Sequence, residues 1–189
     1  MTLTFQPAAP EDVPTVVALV ESAYRGEASR EGWTTEADLL DGQRTDPEAV
    51  LETLPQLLLA FEDCTLVGCC ALVPQDDHAY FGMFAVRPGL QGSGVGSAIL
   101  AEAEARAARA GLSRVEMTVL SVRTELIAFY LRRGYRDTGE VRPFPYGEER
   151  FGRPRRDDLA FAVLTKALQE QRAWVAPPHS SPLPRNPDR

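Results

Sequence analysis

FAVRPGLQGSGVG, residues 84–96, joins two different kinds of sequence. An apolar stretch from Tyr80 to Val86 precedes it, and from Ser97 to Ala110 apolar residues recur at helical spacing. Arg87-Pro88 ends the strand, because proline has no N–H to give to a ladder. Gly92, Gly94 and Gly96 let the backbone approach a ligand without Cβ interference. The helix behind them turns its unpaired N–H groups back into the loop. Gln91, Gly92, Ser93, Gly94, Val95, Gly96 and Ser97 therefore read as an anion site, suited above all to phosphate.

Glycine-rich strand-to-helix turns come in several kinds. No Gly-Lys-Ser/Thr closes this one, so it is not a Walker loop. Gly92-x-Gly94, with Ser97 in the third glycine's place, fits a loose dinucleotide fingerprint. Glu116 lies near the spacing of a ribose-binding acid. The bland alternative, a plain tight turn, needs neither three glycines nor Pro88 and Gln91.

The chain has 189 residues, enough for one domain with its own core. Its net charge of −7 argues against nucleic acid as a partner and is compatible with a cationic acceptor such as an amine. No apolar run approaches the ~20 residues of a membrane span. The opening MTLTFQPAAPED has no basic n-region or apolar h-region, so no signal peptide and no membrane partner are expected. Cys64, Cys69 and Cys70 make neither a C-x-x-C pair nor a metal spacing with His78 or His179, so no metal is expected. They read as small core or strand residues in a reducing cytoplasm.

The remaining elements follow from periodicity and punctuation. Residues 2–6 alternate as a strand. Pro10 starts a helix to about Arg25, with Val13, Val16, Val17, Val20 and Tyr24 on one face. Residues 26–32 read as a polar loop. Thr35 and Asp38 read as the start of a short helix, broken at 43–45, and Asp46-Pro47 starts another to about Leu54. Two buried strands, 56–62 and 66–73, join at Asp63-Cys64 as a hairpin. A third, 78–86, contains Gly82, which suggests a bulge or a close ligand. After the glycine loop, the helix 97–110 has Val95, Ile99, Leu100, Ala103 and Ala107 as its buried side. Strand 114–120, helix 123–133 and a strand from Tyr135 follow. Residues 141–146 read as a proline-stiffened loop, 147–156 as polar and mobile, and 159–165 as a last strand. Arg132-Arg133 reads as a solvated helix end. The order predicts a mixed α/β fold with one central sheet and flanking helices. The domain is expected over 1–174, with a disordered tail at 175–189.

The spacing Val86-x-Pro88-x-x-Gln91-x-x-Gly94-x-Gly96 resembles the acyl-CoA pyrophosphate loop of the GNAT superfamily of N-acetyltransferases. LIAFYLRRGY, residues 126–135, resembles the GNAT pattern of a helix ending F-Y-x-x-x-G-(F/Y), one strand beyond that loop. The resemblance covers Leu3 to about Lys166. The run from Arg123 to Glu140, with Pro143-Phe144-Pro145 behind it, looks like a common bacterial subgroup. One position departs. Many members carry Asn seven residues before the helix tyrosine, where this chain has Arg123, which either reaches a cofactor phosphate or caps the helix.

The resemblance implies a GNAT-like acyl-CoA-binding fold, and transfer of an acetyl group from acetyl-CoA to a primary amine of a small molecule or peptide by direct attack. It implies that Phe84, Ala85 and Val86 form the splayed strand edge along the cofactor, beside 115–119, with an N–H near Phe84 or Ala85 facing the oxyanion. It also implies Tyr130 as the proton donor to the departing thiolate. A tyrosine fits because its pKa of about 10 lies above that of a thiol. The base stays open among His78, Tyr80, Glu116 and Glu36. Trp33, with Glu36 or Arg44 beside it, is either an acceptor-pocket wall or a staple for its loop. A homodimer is expected by family analogy alone. Two alternatives remain: an acyl-CoA-binding module without turnover, and a nucleotide-binding domain. The second gives no account of Gln91 or of Phe129-Tyr130.

Overall fold

The computed structural model describes residues 2–148 and 152–168. Residues 169–174 of the expected domain and the tail from residue 175 lie outside the described residues. The elements are β1 (Thr4–Pro7), α1 (Val13–Tyr24), α2 (Gly26–Arg30), β2 (Leu40–Asp41), α3 (Pro47–Thr53), β3 (Leu57–Glu62) and β4 (Thr65–Pro74). They continue with β5 (His78–Val86), α4 (Val95–Arg109), β6 (Arg114–Leu120), α5 (Thr124–Leu131), β7 (Arg136–Pro143), β8 (Arg153–Pro154) and β9 (Ala160–Ala167). Seven strands form one mixed sheet in the order β1-β3-β4-β5-β6-β9-β7. The β3–β4 turn is the expected hairpin, with positive φ at both Asp63 (46°) and Cys64 (65°), as a tight hairpin turn requires.

Alternation along the strands builds two cores. Leu58, Ala60, Val67, Cys70, Phe81, Val115 and Met117 face α4 and α5. Leu57, Leu59, Leu66, Cys69, Ala71 and Ala85 face α1 and α3 on the other side. The two adjacent cysteines thus enter opposite cores, as period-2 geometry demands. On α4 the buried set is Val95, Ile99, Leu100, Ala103 and Ala107, the side read from the sequence. On α1 the buried set also takes Leu19 and Ala23, while Val17 and Tyr24 sit at its margin.

Five local expectations change. Residues 26–32 are not all loop, because Gly26–Arg30 is a short helix with a Glu27–Arg30 pair at 3.5 Å. The helix expected at Thr35 does not form. Thr35 Oγ1 lies 2.6 Å from Ser29 Oγ and accepts the Ala37 N–H at 3.0 Å, so a turn replaces it. The chain then enters β2, whose Leu40 and Asp41 pair with Pro154 and Arg153 of β8. Residues 147–156, read as mobile, therefore contain a strand. The loop expected at 141–146 begins as the end of β7, where Val141, Arg142 and Pro143 pair with β9. A third, small core of Leu40, Leu120, Phe144 and Leu159 holds this side of the molecule. The bulge suspected at Gly82 falls one residue later. Gly82 pairs with Ala71 and Ala85 with Cys69, so Met83 and Phe84 together face Cys70.

Candidate active site

The site begins where two parallel strands part. β5 and β6 are joined by the α4 crossover, and they pair only at His78–Arg114, Ala79–Val115 and Tyr80–Glu116. Beyond that, β6 keeps its full ladder with β9, while β5 stays with β4. The segment 84–86 is therefore not paired with 115–119, and two main-chain edges face each other across a gap. Met83 helps set this divergence: it sits at φ 41°, a costly conformation for a residue with a Cβ, and the bulge it makes adds twist to β5. The Arg87 N–H bonds Val67 O at 2.9 Å. Alternation points Ala85 the same way, toward β4, and leaves the Val86 N–H and C=O on the gap side. Val86 O accepts from Gln91 Nε2 at 3.3 Å. Phe84 O accepts the Tyr24 hydroxyl.

A cavity of about 320 Å³ opens here, with Phe84, Ala85 and Val86 on one wall and Leu126 and Phe129 of α5 on the other. One end is the glycine loop: Gln91, Gly92, Gly94, Gly96 and Ser97 line it, whereas Ser93 and Val95 do not. Gly94 caps α4 at φ 102°, with no side chain bonded to the helix end. A Cβ at Gly92 or Gly94 would meet nothing within 4 Å, so the loop is open above its backbone. Gly96 is there for the opposite reason: its Cβ would stand 3.2 Å from Phe84 Cζ, where α4 presses onto β5. Gln91 Oε1 also accepts the Thr34 N–H at 3.1 Å, which ties the segment before β2 to the loop.

Arg133 belongs to this end, which the sequence did not reveal. Its Nε donates to Ser97 Oγ at 3.1 Å, and its guanidinium lies 3.5 Å from the Phe129 ring centroid. Arg132 and Arg133 both line the cavity. The only signal was their spacing, one helical turn past Phe129.

Tyr24, Trp33, Thr34 and Arg123 also line the cavity, with Thr34 held to Gln91 and Arg123 to Thr34. Trp33 is 47% exposed, with its ring 5.7 Å from that of Phe129. Glu36 is buried behind this wall, not on it. Its Oε1 accepts from Arg123 Nη1 at 2.7 Å and its Oε2 from Arg25 Nη1 at 3.0 Å, with Arg44 Nε 3.7 Å away. Burial works to raise the Glu36 pKa, but Arg123, Arg44 and Arg25 together hold it below the usual carboxylate range. Tyr130 is also buried, its ring packed edge-on against Phe129 and Tyr135. Burial pushes its pKa well up, and nearby Tyr24 adds to this while Arg123 opposes it.

Other sequence candidates lie elsewhere. Tyr80 bonds Thr118 Oγ1 at 2.7 Å, and Glu116 Oε1 accepts from Arg142 Nη2 at 2.9 Å. His78 sits at the far end of β5, 3.0 Å from Asp77 Oδ1, about six residues or ~20 Å of strand from Phe84. Tyr24, missed as a site residue because its spacing matched the apolar face of α1, lines the cavity and touches the bulged strand.

A loop with an uncapped helix behind it and a parted strand edge beside it are what an acyl-CoA needs from a protein. Residues 16–135 match the acetyltransferase (GNAT) family, and the chain belongs to that family. No curated protein matches the chain. Among solved structures, the ribosomal-protein-S18-alanine N-acetyltransferase from Escherichia coli superposes with a TM-score of 0.66 at 13% identity, covering 95% of this chain and 99% of the other. Ard1 from Thermoplasma volcanium gives 0.68 at 16% identity, covering 90% and 100%. N-acetylglutamate synthase from Neisseria gonorrhoeae, solved with coenzyme A and N-acetyl-glutamate, gives 0.62 at 21% identity, covering 89% of this chain and 36% of that one. Enzymes of the GNAT family take the acetyl group from acetyl-CoA, and the open glycine backbone and bare α4 N-terminus fit its pyrophosphate. Among the described residues no helix is long and apolar enough to cross a membrane.

Proposed function

We propose that this protein transfers the acetyl group of acetyl-CoA to a primary amine of a small molecule or peptide by direct attack. The observation that carries the reading is a single cavity on which the unpaired β5 edge and the uncapped start of α4 converge. Acetyl-CoA supplies an activated acyl thioester. Gln91 to Ser97 and the first turn of α4 hold the pyrophosphate through N–H groups and helix dipole, and Arg133 adds a cation beside them. The 84–86 edge aligns the arm, and the Val86 N–H donates to the carbonyl oxygen as negative charge builds there. The amine nitrogen bonds to the carbonyl carbon, the C–S bond breaks with its electron pair on sulfur, and Tyr130 gives the sulfur a proton. The acceptor ammonium loses one proton to water before attack and a second on acylation, and Tyr130 regains its proton from that water.

Calorimetric titration with acetyl-CoA tests the reading, with NAD and ATP as controls, followed by thiol release over a panel of amines. Selective acetyl-CoA binding and amine-dependent thiol release are expected. Preference for a nucleotide, or no binding of acetyl-CoA, overturns it.

A further inference from the structure

Glu36 sits among more positive charge than it can balance. Arg25, Arg44 and Arg123 all pair with it, and among the described residues no second carboxylate pairs with any of the three. The Glu21 carboxylate is nearby but engaged by the Arg44 and Thr45 main-chain N–H groups, at 2.6 and 2.8 Å. Arg123 is the member on the cavity wall. It is only 8% exposed; its Nη1 goes to Glu36 and its Nη2 to Thr34 Oγ1 at 2.5 Å, but its buried Nε has no partner. Arg25 Nη2 is likewise buried and unpartnered. A buried guanidinium with an unmet donor and surplus charge costs free energy until an anion completes it. The unmet Nε–H of Arg123 suits a charge-assisted hydrogen bond to a carboxylate oxygen.

The position of this surplus matters as much as its sign. Tyr24 links it to the reacting edge: its hydroxyl bonds Phe84 O, while the Arg44 and Arg123 guanidinium carbons lie 5.2 and 5.7 Å from its ring centroid. The cationic group is thus one tyrosine ring from the strand where the acyl group is to react. Arg123 is also linked to the glycine loop through Thr34, whose N–H donates to Gln91 Oε1 at 3.1 Å, so cofactor phosphate is the competing anion that the comparison of acids with amides separates. Arg44, with a side chain 32% exposed, is the member most open to an incoming molecule.

We infer that the acceptor is an amine that also carries a carboxylate, an amino acid or a close analogue, whose carboxylate seats against Arg123 with Arg44 beside it. This rests on the transferase reading above. The bonding change is unchanged: the acceptor nitrogen takes the acetyl carbon from the CoA sulfur, and the carboxylate only anchors the acceptor.

The test compares amino acids with their own amides, which keep the amine and side chain but lose the charge. With the full chain and saturating acetyl-CoA, kcat/KM for at least one amino acid is expected to exceed that for its amide by about 10–100-fold, the worth of a hydrogen-bonded charge. The difference is expected mainly in KM. Arg123→Met and Arg44→Gln are each expected to shrink the acid-to-amide ratio several-fold, a readout that mere loss of folded protein does not move. A second measurement needs no variant: the matching carboxylic acid without the amine competes with the acceptor, and the corresponding alcohol does not. Equal or better turnover of amides, or no transfer to either series by a protein that binds acetyl-CoA, overturns the carboxylate assignment. Failure to bind acetyl-CoA overturns instead the transferase reading beneath it.

Discussion

Tyr130 and Gly94 are legible in the sequence for different reasons, and each carries a prediction. Tyr130 was named by resemblance; periodicity alone made it a packed aromatic. Packed it is, and burial explains why it stays protonated through neutral pH: the phenolate is the form that the apolar surroundings penalise. Tyr130→Phe keeps the edge-on contacts with Phe129 and Tyr135 and removes only the hydroxyl. It is expected to lower kcat about 100-fold with the KM for acetyl-CoA nearly unchanged; an undiminished kcat, read in steady-state kinetics, removes the role. Gly94 was named by backbone logic. Its φ of 102° disfavours any side chain, and the space above it is open. Gly94→Asp brings a carboxylate to the positive end of α4 and is expected to abolish acetyl-CoA binding in calorimetry with the circular dichroism spectrum retained. Unchanged affinity sinks the loop assignment. Arg133 was misread as a solvated end, because which way a surface arginine folds back depends on Ser97 and Phe129 being within reach.

At the scale of elements, the helices and strands with strong period and clear punctuation were readable, and the short ones were not. The apolar side of α4 follows from five residues at helical spacing. The Thr35 helix fails because its capping hydroxyl is shared with Ser29 and because Glu36 turns inward to three arginines. Neither partner is local in sequence. The bulge sits at Met83 rather than Gly82 because the register of β4 requires it. Gly68 shows how closely the elements are fitted. A Cβ there would stand 2.4 Å from Ile99 Cδ1 of α4 and 2.9 Å from Ala85 O of β5. The first contact can yield by a rotamer change, but the second is main chain. Gly68→Val is therefore expected to cost about 1–3 kcal/mol in urea unfolding and to weaken acetyl-CoA binding, since Ala85 lines the cavity proposed to take the cofactor. Wild-type stability and affinity in that variant would show that α4 and β5 are more loosely packed than these distances imply.

At the scale of the molecule, Glu36 ties together segments far apart in sequence: Arg25 at the end of α1, Arg44 before α3, and Arg123 at the start of α5. Its folded pKa is held below the ordinary value, so the stabilisation is complete above the unfolded pKa of about 4.3 and is lost as pH falls through the lower folded value. Stability of the wild type is expected to be flat from this group between pH 7 and 5 and to drop below about pH 4. Glu36→Gln leaves buried guanidinium groups uncompensated and is expected to cost about 3–5 kcal/mol at pH 7. It is also expected to flatten the acid limb of a melting-temperature profile. An acid limb identical to wild type would show that other carboxylates govern it. The sequence by itself determined the α/β class and the two motifs that mark the GNAT family, because each is written in contiguous residues whose local backbone preferences carry the information. Only the tertiary structure decided that β5 and β6 part after Tyr80, that Arg133 reaches Ser97 beside the glycine loop, and that three arginines and one glutamate gather behind Tyr24. Those features arise from ladder register and from side chains brought together across the fold, and neither has a local signature in the chain.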